Sequence, residues 1–486
     1  MKRAHPLLAV LFLGACTVGP NYSRPATALP PYYSEPHAAA APSDLELGSW
    51  WNSFGDTKLD ELVKRAIAQN LDIETAAARI RQARAEERAA GSALLPEVIT
   101  NASVTRQRIS ENAIPVPPGS GGTGGGGGSF GLPGSEFTTW RAGFDASWEI
   151  DLFGKTRRSV EAARARTGAA IWNRRDIQVS TAAEVASAYL QLRTLQQQAL
   201  LAAAEVERQQ RSERLVQARV RGGLVTGQDL EQQRSELATA RAQLPPLRAS
   251  EDIEIHKIGV LTGDSPEALV AELGPAGSLP LSTPEVPAGL PSDLLRRRPD
   301  IKAAERSLAA STADIGVATA DLYPSFSLSA APALVSTALA SLVTWGSRSF
   351  TAGASLNWPI FNGGRTRANI EVKNARAEEA LIAYKKTILT ALQDVEDALA
   401  KIDNDRRGIA DLEGALASAR RAEDIARERY KGGLVTFSDV LGEEAKRISL
   451  ENRVIEMRGS QALDTIALYK ALGGGWPDVA ERGAQP

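Results

Sequence analysis

Apolar residues recur at alternating steps of three and four along two long segments of the chain. In the second segment these residues are Leu381, Tyr384, Ile388, Ala391, Val395, Ala398 and Ile402, and residues 185–206 have nearly the same spacing. Such spacing is typical of a coiled-coil seam. Residues 157–221 and 365–431 also lack proline and are rich in good helix formers, so each segment is predicted to form one long helix.

A different pattern, the alternation of apolar and polar residues, precedes each predicted long helix. It covers residues 140–152 and 350–360, and residues 98–105 and 326–330 show shorter versions. The alternation predicts strands with one apolar face, and the longer runs match the roughly ten residues of an outer-membrane barrel strand. A half-buried sheet in a soluble protein has the same pattern, so alternation alone leaves both alternatives open.

The chain also repeats itself. Arg-Val-Arg-Gly-Gly-Leu-Val-Thr at residues 219–226 returns as Arg-Tyr-Lys-Gly-Gly-Leu-Val-Thr at residues 429–436, a shift of 210. Residues 71–73 return in a related form at 299–301, a shift of 228. The first copy is therefore about 18 residues longer, and we assign the excess to an enlarged loop in the glycine-rich tract 119–134. Such a repeat predicts one architecture built twice.

Each predicted long helix ends at the repeated Gly-Gly-Leu-Val-Thr sequence, and another helical stretch follows at once, at residues 229–244 and 439–472. Glycine ends helices because it enters left-handed backbone space easily. Asp229 and Asp439 then stand near the start of the returning helices, where a carboxylate is favourable. Each copy is therefore predicted to contain a long helical hairpin with its tip at this sequence.

These patterns divide the chain into two similar halves. The first repeat, residues 51–275, is predicted to hold a helix, strands at about 96–108 and 137–152, and a helical hairpin at 157–262. The second repeat, residues 276–475, is predicted to hold a helix, strands at about 324–333 and 350–361, and a hairpin at 365–472. A signal peptide at 1–15 and a lipid-anchored segment at 16–50 precede them, and a tail at 476–486 follows.

The amino terminus has the pattern of a bacterial lipoprotein signal. Two basic residues precede a short apolar stretch at residues 7–13, and Leu13-Gly14-Ala15-Cys16 resembles the lipobox. In lipoproteins a diacylglycerol is attached to the cysteine thiol, and cleavage leaves that cysteine first. We therefore predict a covalent lipid on Cys16 and no other cofactor. Ordinary secretory cleavage beside an incidental cysteine is the alternative.

Composition argues against most enzymes and against metal or nucleic-acid binding. The chain has one cysteine and three histidines, none at ligand spacing, so neither a metal site nor a catalytic triad is indicated. Residues 153–156 end like a phosphate-binding loop, but Glu149 stands where that motif needs glycine. The net charge of −2 gives no sign of a nucleic-acid partner. We therefore predict a protein that is not an enzyme.

The number of predicted strands sets a further constraint. Four strands cannot close a barrel, and a sheet edge in lipid leaves backbone groups unsatisfied at a cost of several kcal/mol each. If these strands enter a membrane, the chain must therefore form oligomers. Two copies would supply eight strands and three would supply twelve, and the sequence patterns do not choose between them.

Several motifs resemble the outer-membrane factors of tripartite efflux systems, the TolC/OprM/NodT-like lipoproteins. They are the lipobox with residues 17–25, the aromatic residues Trp50, Trp51 and Phe54, and residues 294–305, 358–365 and 468–476. The resemblance implies a mixed α and β membrane protein. Its trimeric 12-stranded β-barrel, with four strands per chain, would continue into a long periplasmic α-helical barrel of coiled-coil hairpins.

The resemblance also implies a function and partners. It implies a passive exit duct, in the outer membrane of a Gram-negative cell, for drugs or other small toxic compounds. The duct would be a homotrimer whose periplasmic end opens on docking with a periplasmic adaptor protein and an inner-membrane RND pump. A duct for type I protein secretion uses the same fold and is the alternative, although the lipobox and the Leu-Gly-Gly-Gly-Trp near the end favour efflux.

Site residues follow from the same resemblance. The adaptor-contact candidates are the hairpin tips Gly222, Gly223, Leu224, Val225, Thr226, Gly432, Gly433, Leu434, Val435 and Thr436. The candidates for the periplasmic gate are Asp229, Asp439, Arg219, Arg429 and Tyr430. Where relatives have a second gate aspartate this chain has Gly442, followed by Glu443 and Glu444. Turn geometry and helix capping are the alternative explanations for the glycines and aspartates.

Overall fold

The computed structural model describes residues 17–34, 47–110, 136–280, 288–289 and 291–476. Its helices are α1 (Thr57–Gln69), α2 (Leu71–Ser92), α3 (Lys155–Arg221), α4 (Gly227–Leu261), α5 (Val270–Leu273), α6 (Pro291–Arg297), α7 (Pro299–Ala320), α8 (Arg365–Lys431) and α9 (Phe437–Ala471). Its strands are β1 (Glu97–Arg108), β2 (Glu136–Ile150), β3 (Ser325–Ser336) and β4 (Arg348–Asn357). The signal peptide, Cys16, the glycine-rich tract and residues 477–486 lie outside the described residues.

The two helical hairpins have matching dimensions. Helices α3 and α8 are 67 residues long, which at 1.5 Å per residue is about 100 Å, and α4 and α9 are 35 residues long. Within the described residues, none of the helices combines the length and the apolar character that a membrane crossing requires. The repeat detected in the sequence is therefore a repeat of equal helical hairpins.

Helix α4 ends at Leu261, next to the predicted hairpin end at residue 262, and it runs through Pro245 and Pro246 without a break. Two prolines remove two backbone donors. The far end of the helix is nevertheless anchored, because Ile255 and Ile258 are buried in the core. Tertiary packing thus overrides the local signal.

The four strands form one antiparallel sheet in the order β1-β2-β3-β4. The fourth strand ends at Asn357, before the predicted end at residue 361. The chain turns there because Pro359 has no backbone N–H and the amide of Ile360 donates to the carbonyl of Trp358 at 2.9 Å. The third strand continues to Ser336, past its predicted end at residue 333.

The chain folds into two compact units. The first contains residues 17–23, Ala83–Thr167 and Ser307–Ala380, and thus the whole sheet with the helix ends that adjoin it. Its two strand-to-helix corners are alike: Trp148 donates to the carbonyl of Leu94 and Trp358 to that of Leu322, both at 3.0 Å.

The second unit holds the main hydrophobic core and both hairpin tips. The seam residues Tyr189 and Tyr384 are fully buried, and the ring of Trp50 stacks on Tyr469 with centroids 5.1 Å apart. Parts of both hairpins share this core with α1, α5 and α6. The packing fixes the long helices side by side, and each helix then runs on towards its tip.

Candidate functional site

The two hairpin tips have the same backbone structure. At the end of α3 the amide of Gly223 donates to the carbonyl of Val220 at 3.0 Å, and that of Leu224 donates to Arg219 at 2.9 Å. Gly223 has a φ of +70°, which favours glycine, and Gly433 takes the same position with a φ of +71°. This pair of bonds is the Schellman helix end. Turn geometry therefore accounts for the second glycine of each tip.

The returning helices begin with identical capping boxes. The amide of Thr226 donates to the Asp229 carboxylate at 2.8 Å, and the amide of Asp229 donates to the Thr226 hydroxyl at 3.3 Å. Thr436 and Asp439 repeat these bonds at 2.8 and 3.3 Å. Hydrogen bonds from the Thr436 side chain and backbone lower the pKa of the Asp439 carboxyl. Both candidate gate aspartates therefore bond to their own capping threonine in this structure.

The apolar residues of the tips are presented to solvent. The side chain of Leu224 is 76% exposed and that of Leu434 is 73% exposed, while Val225 and Val435 are half-buried. The Schellman helix end often has an apolar residue at this position. Both leucine side chains nevertheless remain largely exposed, and the same apolar residue is thus presented at both tips.

The candidate gate arginines and tyrosine have different surroundings. The guanidinium of Arg219 lies over the ring of Tyr430, 4.8 Å from its centroid, and that ring packs on Phe437 at 5.3 Å. This cation–π contact joins the end of α3 to the end of α8. Arg429, the equivalent of Arg219 in the second repeat, is exposed. The structure thus brings together Arg219 and Tyr430.

A buried ionic network lies above the second tip and was not among the sequence-based candidates. Glu423 of α8 and Arg447 of α9 are both about 95% buried and bond to each other, and Arg447 also bonds to Glu451. Arg427 bonds to the other oxygen of Glu423. One signal existed in the sequence, because Leu416, Ala419 and Glu423 follow the seam spacing and put a charge on an apolar stripe.

Glu444, which follows Gly442 by two residues, belongs to the same network. It is buried, and its carboxylate lies 3.8 Å from Arg208 and 3.9 Å from Arg427. Burial raises the pKa of Glu444, and the carboxylates of Glu205 and Glu423 raise it further. Glu444 therefore faces the interior of the helix packing rather than solvent.

A family model described as outer membrane efflux protein matches residues 62–263 and 290–474. This chain belongs to the outer membrane efflux protein family. The pyoverdine export outer membrane protein OpmQ of Pseudomonas aeruginosa is 35% identical over 477 residues, 98% of this chain and 97% of the relative. Nodulation protein T of Rhizobium leguminosarum bv. viciae is 31% identical over 483 residues, 97% of this chain and 93% of the relative.

A solved structure agrees with these relatives. The outer-membrane channel OprN shares 32% identity, with a TM-score of 0.84 over 95% of this chain and 100% of that chain. The predicted family, the mixed helical and strand fold with four strands per chain, the efflux function and the outer-membrane location are confirmed. The roles assigned to individual residues at the tips stay predictions.

In this outer-membrane efflux protein the segment that follows Cys16 is held in place by contacts with residues just after β2. The amide of Val18 donates to the carbonyl of Phe153 at 3.1 Å, directly after β2, and Thr17 packs against Gly154, whose φ is +83°. The buried Arg158 donates to Val18, Gly19 and Asn21 at 3.2, 3.3 and 2.6 Å. Residue 17 is therefore held at the corner where a strand becomes a helix.

Proposed function

We propose that this efflux protein is one subunit of a homotrimeric, passive exit duct for drugs or other small toxic compounds. The observation that carries the proposal is the sheet, which within the described part of the chain has four strands with β1 and β4 at its edges. Edges in lipid leave backbone donors and acceptors unsatisfied, so copies must pair edge to edge. Three copies supply twelve strands. Eight-stranded barrels are just filled by their own side chains, so a dimer would leave no passage.

We further propose that the tips form the docking site for a periplasmic adaptor, which links the duct to an inner-membrane RND pump. The repeated exposed pair Leu224 and Leu434 supports this, because each chain then presents two similar apolar contacts. The gate would lie at the same end, with Asp229 and Asp439 at the helix starts and the Arg219–Tyr430 contact joining the hairpins.

The lipid on Cys16 belongs to the same proposal. Thr17, the next residue, packs against Gly154, and Val18 bonds to Phe153, so the described chain begins beside the end of β2, one of the strands that we place in the membrane. A lipid on Cys16 would add an anchor to the same membrane. Mass spectrometry of the mature amino-terminal peptide tests it, and an unmodified Cys16 would exclude the anchor.

Oligomeric state and resistance test the duct itself. The molar mass of the detergent-purified protein should correspond to three chains, and a deletion strain should become more sensitive to a panel of toxic compounds. A monomer in several mild detergents, or unchanged sensitivity to every compound, would contradict the proposal.

A double variant tests the tips. Leu224→Asp with Leu434→Asp should abolish the resistance while the trimer and its location in the outer membrane persist. The matched control is Leu215→Asp with Ile425→Asp, two exposed residues at equivalent positions of α3 and α8 further from the tips. Normal resistance of the tip variant would exclude this contact, and equal loss in the control would show that the effect is not specific to the tips.

Two single variants separate gating from capping at Asp439. If the aspartate acts only as a cap, Thr436→Ala should change the channel conductance as much as Asp439→Ala, because each removes one half of the same capping box. If Asp439 also contributes charge to the gate, only its own replacement should change the dependence of conductance on calcium. Single-channel recording measures both.

A further inference from the structure

The edge strands of the described sheet form an interaction surface whose partner residues follow from the repeat. Strands β1 and β4 are the outer strands, and all ten residues of β4 are exposed. We propose that β4 of one chain pairs with β1 of a second copy, antiparallel and in one register, with Asn357 opposite Asn101. The inference rests on the proposed oligomeric duct and adds the residue pairs that join its subunits.

The first step is that the repeat relates the strands residue by residue. A shift of 228 residues carries β1 onto β3, and a shift of 210 carries β2 onto β4. When both shifts are applied, each residue pair of the β1–β2 hairpin becomes a residue pair that is observed in the β3–β4 hairpin. The end pairs of the shared stretch are Glu97–Ser147 and Arg106–Thr138 in the first hairpin, and Ser325–Asn357 and Leu334–Arg348 in the second.

The second step uses the contact between the two repeats. Strand β2 pairs with β3, with Ser147 opposite Ser329. Adding 210 to a residue number of β2 gives its equivalent in β4, and subtracting 228 from a residue number of β3 gives its equivalent in β1. The pair equivalent to Ser147 and Ser329 is therefore Asn357 opposite Asn101 of the next copy. The ladder then places Phe350 opposite Arg108 and Leu356 opposite Ala102.

The side chains that this register brings together suit each other. Leu356 is 57% exposed in the single chain, and a second copy would cover part of it. The large Leu356 meets the small Ala102. At the other end of the strands, Arg108 meets the exposed ring of Phe350, a pairing that allows a cation–π contact.

The proposed β4–β1 pairing also lacks the interruption that is present in the equivalent β2–β3 pairing inside the chain. The β2–β3 ladder stops at Gly143–Ala333 and resumes at Ala146–Ala330, and Pro332, which has no backbone N–H, lies in the gap. The residue of β1 that corresponds to Pro332 is Val104, which keeps its N–H. A second copy can therefore satisfy the edge of β4 along its length, which identifies it as the occupant of this edge.

Paired cysteines test the register. Asn101→Cys with Asn357→Cys, and Ala102→Cys with Leu356→Cys, put cysteines directly opposite, at a cross-strand distance that suits a disulfide. Asn101→Cys with Leu356→Cys, and Ala102→Cys with Asn357→Cys, use the same positions slipped by one residue. Such a slip turns the two side chains to opposite faces, so on-register variants should give roughly tenfold more covalent multimer after mild oxidation in membranes.

Controls make every outcome decisive. The parent chain, with Cys16 as its single cysteine, gives the background, and Ser147→Cys with Ser329→Cys should oxidise within one chain without forming multimers. If the purified variants have the molar mass of a trimer but the slipped pairs cross-link as well as the on-register pairs, or neither cross-links, the register is overturned while the duct stands. A molar mass of one chain would overturn both.

Discussion

Replacing Arg447 by methionine should loosen the second hairpin strongly, because it leaves buried carboxylates without their partner. Arg447 and Glu423 are both about 95% buried, and Arg447 also bonds to Glu451. Breaking a buried ion pair on one side costs about 3–5 kcal/mol. Arg427 still bonds to Glu423 in the variant, so we expect the lower end of that range.

Hydrogen exchange measures this loss where it occurs. At about 1.4 kcal/mol for each factor of ten, a loss of about 3 kcal/mol increases local opening roughly 100-fold. Amide exchange in peptides that cover residues 420–451 should therefore accelerate by about that factor in Arg447→Met. Combining it with Glu423→Met should recover most of the loss, because apolar replacement of a whole buried pair is often neutral or stabilising.

The first hairpin supplies the matched control. Arg234 of α4 lies 3.4 Å from Glu213 of α3, and the side chain of Arg234 is 46% exposed. An exposed pair of this kind contributes about 0–1 kcal/mol, so Arg234→Met should change exchange less than about fivefold. The reasoning would be refuted if Arg447→Met exchanged no faster than Arg234→Met, or if the double variant were as labile as Arg447→Met alone.

Two further predictions concern pH and the amino-terminal segment. Burial, with a hydrogen bond to Asp464, raises the pKa of Asp405 to about 6 from 3.8, so the folded protein binds this proton more tightly and loses stability as the pH rises from about 4 to 6. Asp405→Asn should therefore raise the melting temperature at pH 7.5 and less at pH 5; an equal gain at both would contradict the shift. Arg158→Ala should expose residues 18–21 to faster exchange and proteolysis, because three hydrogen bonds are lost, with Arg158→Lys intermediate; unchanged protection would mean that Arg158 does not hold the segment.

The sequence predicted the helices and strands because their periods are local properties. Seam spacing over 67-residue helices and alternation over the strands depend only on neighbours along the chain. Even so, β3 continues to Ser336, past the predicted residue 333, and β4 ends at Asn357, before the predicted residue 361. Local signals were therefore sufficient for the type of each element and less reliable for its ends.

The ionic network could not be predicted in the same way. Whether Glu423 is exposed depends on where α9 crosses α8, and the partner Arg447 lies 24 residues further along the chain. A charged residue at a seam position indicates a buried charge, but the sequence pattern does not show which residue pairs with it. The tips were easier, because the capping box and the helix end each lie within a few residues.

The two repeats share their fold but differ in the chemistry that closes their hairpins. Leu237 of the first hairpin is buried with Val206 and Ala240, and its equivalent in the second is Arg447. An apolar contact in one copy thus stands where the other has a buried charge. A buried ion pair is rarely kept for stability alone, since apolar residues serve as well. The network instead ties the second hairpin to the first hairpin of the same chain, because Glu444 lies 3.8 Å from Arg208 of α3.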